Sequence, residues 1–114
     1  MNISIGCDIE DISRFKDKSE TFLNRIYTKN EIEYCKKFSN PAPHFCARYC
    51  AKEAVVKALN DFKIKDVYYS DIEILNTSDG ACYVVIKKYN DLSVKISMSH
   101  CKNYATASVI IYKD

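Results

Sequence analysis

Two carboxylates and a lysine have the types and spacing needed to hold a metal ion against a phosphate. Asp8 follows an alternating segment near the start of the chain, and Glu53 lies in a long alanine-rich segment with Lys57 four residues later. In a helix, side chains four residues apart lie one above the other. Two carboxylate oxygens, with water and phosphate oxygens, are a usual way to hold Mg²⁺ against a diphosphate. The sequence predicts an Mg²⁺ site at Asp8 and Glu53, with Lys57 offsetting charge on the phosphate.

Further basic residues of the same segment suit phosphate binding. Arg48 presents a planar fork that matches phosphate oxygens, and Lys52 offers a second cation, so both are expected to contact a second phosphate. The alternative for Glu53 and Lys57 is an exposed, weak ion pair. His100 is in phase with apolar positions of a strand, which favours a packed side chain over a ligand.

Asp8, the first of these candidate residues along the chain, is expected to be positioned by a strand. Residues 2–9 alternate between an isoleucine-rich face and a more polar face, which predicts a half-buried strand. Asp8 ends this strand on the polar face, and Gly6 is expected to leave room for a ligand. We expect a short helix to begin shortly afterwards and to include Arg14 and Phe15.

Helices are predicted in the middle of the chain. Thr28 and Glu31 form a capping-box pattern that predicts a helix over Glu31–Phe38. A proline-containing break over 39–43 follows, and the alanine-rich segment then predicts a helix over about 44–61. Because that helix is apolar nearly all round, it belongs in an interior or between subunits.

The rest of the chain favours strands. Segments rich in β-branched and aromatic residues alternate with turn signals, of which Asp79-Gly80 and Asn90-Asp91 suit tight hairpins. The predicted strands are Tyr68–Leu75, Tyr83–Tyr89, Leu92–Ser99 and Tyr104–Tyr112. The expected architecture is a single α+β domain over residues 1–114, with an antiparallel meander packed on the long helix.

Composition limits the function classes. A net charge of +2 over 114 residues gives no reason to expect a nucleic-acid partner. No run is apolar and long enough to span a membrane, and the start of the chain lacks an export signal. We therefore expect a cytoplasmic protein whose six cysteines are reduced thiols. A zinc site at His44, Cys46 and Cys50 is not favoured, because no C-x-x-C pair is present.

Four stretches, taken together, resemble a known family. They are Ile5-Gly6-Cys7-Asp8-Ile9-Glu10 with Arg14-Phe15; Tyr27-Thr28 through Glu31; Arg48-Tyr49-Cys50-Ala51-Lys52-Glu53-Ala54 with Lys57-Ala58-Leu59; and Ser97-Met98-Ser99-His100 before Tyr104-Ala105. In this order they resemble the bacterial holo-acyl-carrier-protein synthases, the stand-alone phosphopantetheinyl transferases. Such enzymes move the 4'-phosphopantetheine arm of coenzyme A onto a serine of an apo-acyl carrier protein, which supports fatty acid biosynthesis.

The resemblance implies a role for each matching position. Asp8 and Glu53 would bind Mg²⁺, with Lys57 assisting at the phosphate, and Arg48 and His100 would contact the phosphates of coenzyme A. Arg14, with apolar help from Phe15 and Phe22, would lie near the acidic carrier protein. The family also implies a homotrimer whose active sites are shared between neighbouring subunits.

The sequence departs from the family pattern at two turns. Asn60-Asp61-Phe62-Lys63 replaces a glycine-rich loop, and Gly80-Ala81-Cys82 replaces a Gly-Lys-Pro turn, so Gly80 keeps its expected place beside coenzyme A without the lysine. Two other functions remain open at this point. One is another Mg²⁺-dependent enzyme acting on a diphosphate or phosphodiester, and the other is a non-catalytic module that binds coenzyme A or an acidic partner.

Overall fold

The computed structural model describes residues 2–113, and they form five strands and three α-helices. The strands are β1 (Asn2–Asp11), β2 (Ile72–Asn76), β3 (Cys82–Ile86), β4 (Ser93–His100) and β5 (Tyr104–Lys113). The α-helices are α1 (Glu20–Ile26), α2 (Lys29–Lys36) and α3 (Ala42–Asp61), with 3-10 turns at Ile12–Phe15 and Tyr69–Asp71. None of the helices within residues 2–113 has the length and hydropathy needed to cross a membrane.

The strands form two antiparallel sheets. The larger has the order β1-β5-β4, and the smaller is the hairpin of β2 and β3. Asp79-Gly80 lies in the turn of that hairpin, as predicted, and Gly80 adopts the positive φ of 92° that favours glycine. The expectation of a hairpin at Asn90-Asp91 is wrong, because β3 and β4 belong to different sheets. The predicted meander is therefore replaced by a sheet in which the first and last strands pair.

Helix α3 is the centre of the fold. One side packs on β1, β5 and β4, and other parts of its surface contact α2, β2 and the 3-10 turn at Ile12–Phe15. Contacts within a single chain therefore account for its nearly all-round apolar surface. The helix begins two residues earlier than predicted and includes Pro43, since a proline is tolerated in the first turn, where no backbone donor is needed.

The helices before α3 follow local capping patterns. The capping box of Thr28 and Glu31 is formed in α2, as predicted, although α2 ends at Lys36 instead of Phe38. Helix α1 was not predicted. Its seven residues are too few for a clear apolar period, and the available signal was Ser19, whose side chain accepts a hydrogen bond from the Phe22 backbone N–H at 3.2 Å.

Strand β1 is half-buried, but its polar face is the one that packs against α3. Ser4 is buried and donates a hydrogen bond from Oγ to the Ala58 carbonyl oxygen at 2.8 Å. A Cβ on Gly6 would lie 2.0 Å from the Ala54 carbonyl oxygen. Gly6 therefore leaves room for the backbone of α3 and not for a ligand, which corrects the sequence-based expectation. The isoleucine-rich face of β1 lies on the outside.

We expect Gly6→Ala to lower the free energy of unfolding by roughly 3 kcal/mol or to prevent folding, since the added methyl meets backbone atoms that cannot rotate away. Urea denaturation would measure the effect. Gly80→Ala is a suitable control, because its added Cβ meets nothing within 4 Å and only its positive φ is strained, at a cost of about 1 kcal/mol. If the two variants lost the same free energy of unfolding, the close packing of β1 on α3 would be contradicted.

Candidate functional site

The polar end of β1 and the second half of α3 bring Asp8 and Lys57, two of the predicted metal and phosphate residues, together. Lys57 donates hydrogen bonds from Nζ to the Cys7 carbonyl oxygen at 3.0 Å and to Asp8 Oδ1 at 3.3 Å. The Lys57 side chain is 52% exposed, whereas Asp8 is only 11% exposed. The hydrogen bond to Asp8 raises the pKa of Lys57, so its ammonium group stays charged and faces solvent where a phosphate can approach.

Negative charge accumulates beside Asp8. The pKa of Glu10 is raised to about 7. Burial is the largest cause, followed by hydrogen bonding to Asp8 and charge repulsion from Asp8, and Glu53 makes a smaller contribution. Arg14 forms an ion pair with Glu10 and opposes that shift. Asp8 and Glu53 thus both interact electrostatically with Glu10, while Arg14 and Lys57 are paired with two of these three carboxylates.

The arrangement around Asp8 fits a divalent cation. Asp8 Oδ2 is buried and receives no hydrogen bond, which is costly for a carboxylate oxygen unless a cation or water meets it. Within residues 2–113, no three Asp, Glu, His or Cys side chains form a complete ligand set. A site with Asp8 and Glu53 as the protein ligands would leave positions for water and phosphate oxygens, as Mg²⁺ usually requires.

The second predicted ligand is held by two tyrosines. Glu53 Oε1 accepts a hydrogen bond from the Tyr49 hydroxyl at 3.0 Å and a shorter one from the Tyr69 hydroxyl. The Tyr49 ring also packs against Phe15, with 5.2 Å between centroids. Neither hydroxyl was predicted from the sequence. Tyr49 is one turn before Glu53 on α3, so its spacing was an available signal, whereas nothing local marks Tyr69.

Arg48 and His100 line a cleft of about 460 Å³ between α3, the β2–β3 hairpin and β4. Arg48 is buried, donates from Nη2 to Asn76 Oδ1 at 2.6 Å, and lies over the Tyr34 ring at 4.2 Å from its centroid. Its Nε has no hydrogen-bond partner. Gly80 lies at the rim of the same cleft. The structure therefore brings three of the four residues predicted to bind coenzyme A into one concave surface.

The fourth of these residues, Lys52, lies elsewhere. Its side chain is fully buried and forms an ion pair with Glu31 Oε1 at 2.7 Å. The ammonium group also donates to the carbonyl oxygens of Tyr69 at 2.8 Å and Ile72 at 2.6 Å. All three of its donors are therefore used inside the protein. The expectation that Lys52 binds a phosphate is corrected, since no donor remains and no ligand reaches it.

The residues predicted to meet a carrier protein lie on the 3-10 turn after β1 and on α1. Arg14 is exposed over 58% of its side chain. Phe22 is partly exposed, with its ring 6.5 Å from that of Phe15. Phe15 is buried, so it supports this surface from beneath and is not itself exposed to a partner.

Comparisons with known proteins agree on one family. Residues 4–109 match the 4'-phosphopantetheinyl transferase superfamily. Holo-[acyl-carrier-protein] synthases of Protochlamydia amoebophila and Thermodesulfovibrio yellowstonii are 41% and 44% identical to this chain. The first match covers 96% of this chain and 98% of the relative, and the second covers 94% and 96%.

Solved structures give the same result. A holo-(acyl-carrier-protein) synthase from Bacillus anthracis, in complex with CoA (3',5'-ADP), superposes with a TM-score of 0.85 at 30% identity and covers 97% of this chain and 96% of its own. The Helicobacter pylori holo-[acyl-carrier-protein] synthase in complex with coenzyme A has a TM-score of 0.81 at 28% identity, with coverage of 95% and 99%.

Proposed function

The chain belongs to the 4'-phosphopantetheinyl transferase superfamily, and from this we propose that it is a holo-acyl-carrier-protein synthase. It transfers 4'-phosphopantetheine from coenzyme A to a serine of an apo-acyl carrier protein. The observation that carries the proposal is the pairing of Asp8 and Lys57 at the edge of a carboxylate-rich region near Glu53. Relatives named for this activity cover nearly the whole chain. The reaction would supply modified carrier proteins for fatty acid biosynthesis in the cytoplasm.

Asp8 and Glu53 are the residues that would hold Mg²⁺. When bound, Mg²⁺ supplies positive charge beside the diphosphate of coenzyme A. Lys57 extends from the same edge into solvent and adds a second cation at the phosphate that is transferred. Arg48 and His100 bind and orient phosphates in the cleft, with the guanidinium fork of Arg48 supplying the positive charge.

The chemical step is a direct displacement at phosphorus. The serine oxygen of the carrier forms a bond to the β-phosphorus of coenzyme A. The bond from that phosphorus to the bridging oxygen breaks, and adenosine 3',5'-bisphosphate leaves. The serine proton passes to a base as the new bond forms. Lys57 and Arg48 bind the phosphate oxygens, whose charge changes during the step.

The exposed face of the larger sheet supports the proposal that copies of this chain associate, as a homotrimer would require. Ile3, Ile5 and Ile9 on β1 are 59%, 73% and 63% exposed, and Ile110 on β5 lies directly opposite Ile5. Such a continuous apolar patch is typical of a surface that associates with another protein. We expect copies of this chain to cover it, which would place neighbouring subunits beside the Asp8 end of β1.

Intact-protein mass spectrometry would test the function. An apo-acyl carrier protein incubated with this protein, coenzyme A and Mg²⁺ should gain the mass of one phosphopantetheine group, and EDTA should prevent the gain. Hydrolysis of coenzyme A without modification of the carrier would instead identify a different Mg²⁺-dependent enzyme. Binding of coenzyme A that is unaffected by EDTA, without any mass gain for several carriers, would identify a binding module.

Charge reversal at Arg14 should weaken carrier binding selectively. We expect Arg14→Glu to raise the KM for the carrier about tenfold, because the exposed guanidinium group would be replaced by a carboxylate facing an acidic partner. The KM for coenzyme A should change far less than the KM for the carrier, although the substitution also removes the ion pair of Arg14 with Glu10. Lys65→Glu makes the same charge change at another exposed position and serves as the control. An unchanged carrier KM in Arg14→Glu would show that Arg14 does not contact the carrier.

A further inference from the structure

Both phenol hydroxyls donate to a single oxygen of Glu53. Tyr49 and Tyr69 bind Oε1, and within residues 2–113 no hydrogen bond reaches Oε2. A carboxylate held in this way has one oxygen fixed by the protein and the other directed away from the two donors. A solvent-exposed glutamate would lose considerable rotamer freedom on binding a cation, and a glutamate that is already fixed loses less.

The two tyrosines are themselves held by rigid elements. Tyr49 lies on α3, where its ring packs against the buried ring of Phe15. Tyr69 lies on a 3-10 turn whose backbone is bound by the buried ammonium group of Lys52, through the Tyr69 carbonyl oxygen. The two tyrosine rings also contact each other, with 5.6 Å between centroids. Each hydroxyl therefore reaches Glu53 from a fixed position.

We propose that Tyr49 and Tyr69 are positioning residues that hold the Glu53 carboxylate in its cation-binding orientation, with Oε2 presented to the metal ion. This inference rests on the proposed function, because it takes Glu53 as an Mg²⁺ ligand. The tyrosines do not touch the reacting atoms. Their effect is to increase the affinity for the cation by orienting Glu53 before it binds.

The test removes the hydroxyls and keeps the rings. Mn²⁺ is a spectroscopic substitute for Mg²⁺, and its binding is measured by electron paramagnetic resonance with coenzyme A present and no carrier. We expect Tyr69→Phe and Tyr49→Phe each to weaken Mn²⁺ binding about fivefold and the double variant more than tenfold. In assays the Mg²⁺ concentration for half-maximal rate should rise similarly, while kcat at saturating Mg²⁺ changes less than threefold.

Tyr89→Phe is the matched control. The Tyr89 hydroxyl also donates to a carboxylate, Asp66 Oδ1 at 2.7 Å. This pair is exposed and joins the segment after α3 to the segment after β3. Its removal should leave Mn²⁺ affinity unchanged. Thermal unfolding of all variants would show whether weaker Mn²⁺ binding comes from the lost hydroxyl groups or from a general loss of structure. If the Tyr49 and Tyr69 variants lose stability but bind Mn²⁺ as tightly as the wild type, the proposed positioning role is wrong.

Glu53→Ala distinguishes this inference from the function on which it rests. If the wild type binds Mn²⁺ and Glu53→Ala does not, the metal site is correct. Unchanged binding in the tyrosine variants then overturns only the positioning role. If Glu53→Ala binds Mn²⁺ as tightly as the wild type, Glu53 is not a ligand, and the metal assignment and the role of the tyrosines fail together.

Discussion

Replacing Glu53 with alanine is expected to lower the rate of phosphopantetheine transfer by about 10³-fold or more. The substitution removes one of two proposed protein ligands, and Asp8 alone would retain a divalent cation poorly. Glu53→Gln keeps a side chain of the same size that can still accept hydrogen bonds from the two tyrosines, but it lacks the negative charge. It should be similarly inactive, because the charge of Glu53 is what binds the cation. Initial rates measured across Mg²⁺ concentrations would show both effects.

The same substitution should leave the fold intact. Glu53 is partly exposed, and the two hydroxyls that it releases can turn to water. Asp66→Ala is a matched control, since it also removes a carboxylate that accepts a tyrosine hydroxyl but lies outside the site. Circular dichroism should show wild-type structure for both variants, and only the Glu53 variants should lose activity. Normal turnover in Glu53→Ala would show that the metal assignment is wrong.

The difference between Lys52 and Glu53 shows how far the sequence could specify the site. Helical spacing correctly indicated that Glu53 and Lys57 share a face, because that relation depends on local geometry. Spacing could not show that Lys52, the neighbour of Glu53, points into the interior. Its direction is set by Glu31, twenty-one residues earlier, and by the carbonyl oxygens of Tyr69 and Ile72, seventeen and twenty residues later. The capping pattern predicted only the local role of Glu31.

Strand β1 shows a similar limit for the fold. Alternation correctly predicted a half-buried strand but did not show that the face carrying Ser4 and Gly6 is the buried one. Close approach of a helix backbone favours small residues over isoleucine, and that approach depends on tertiary packing. The pairing of β1 with β5, about one hundred residues away, likewise has no local signal. The isoleucine-rich face would then be covered only in an assembly of several chains.

Removing the buried ammonium group of Lys52 should destabilise the fold strongly. Lys52→Met fills a similar volume but leaves Glu31 charged, fully buried and without its counter-ion. Breaking a buried pair on one side costs about 3–5 kcal/mol. We expect a loss of that size in the free energy of unfolding, measured by urea denaturation. Lys36→Met removes an exposed lysine that is paired with Glu20 and should cost less than about 1 kcal/mol.

A second variant separates loss of charge balance from loss of packing. In Glu31→Gln with Lys52→Met the remaining side chain is neutral, so no unpaired charge stays buried. Its single carbonyl oxygen keeps one of the two backbone hydrogen bonds that Glu31 accepts, from Thr28 on Oε1 at 2.8 Å or from Ile74 on Oε2 at 2.9 Å. This double variant should therefore be more stable than Lys52→Met alone. If it is no more stable than Lys52→Met, the cost lies in the hydrogen bonds to the Tyr69 and Ile72 carbonyl oxygens that both variants lack. Since those bonds also fix the turn that carries Tyr69, Mn²⁺ affinity in the double variant would show whether the interior supports the proposed metal site.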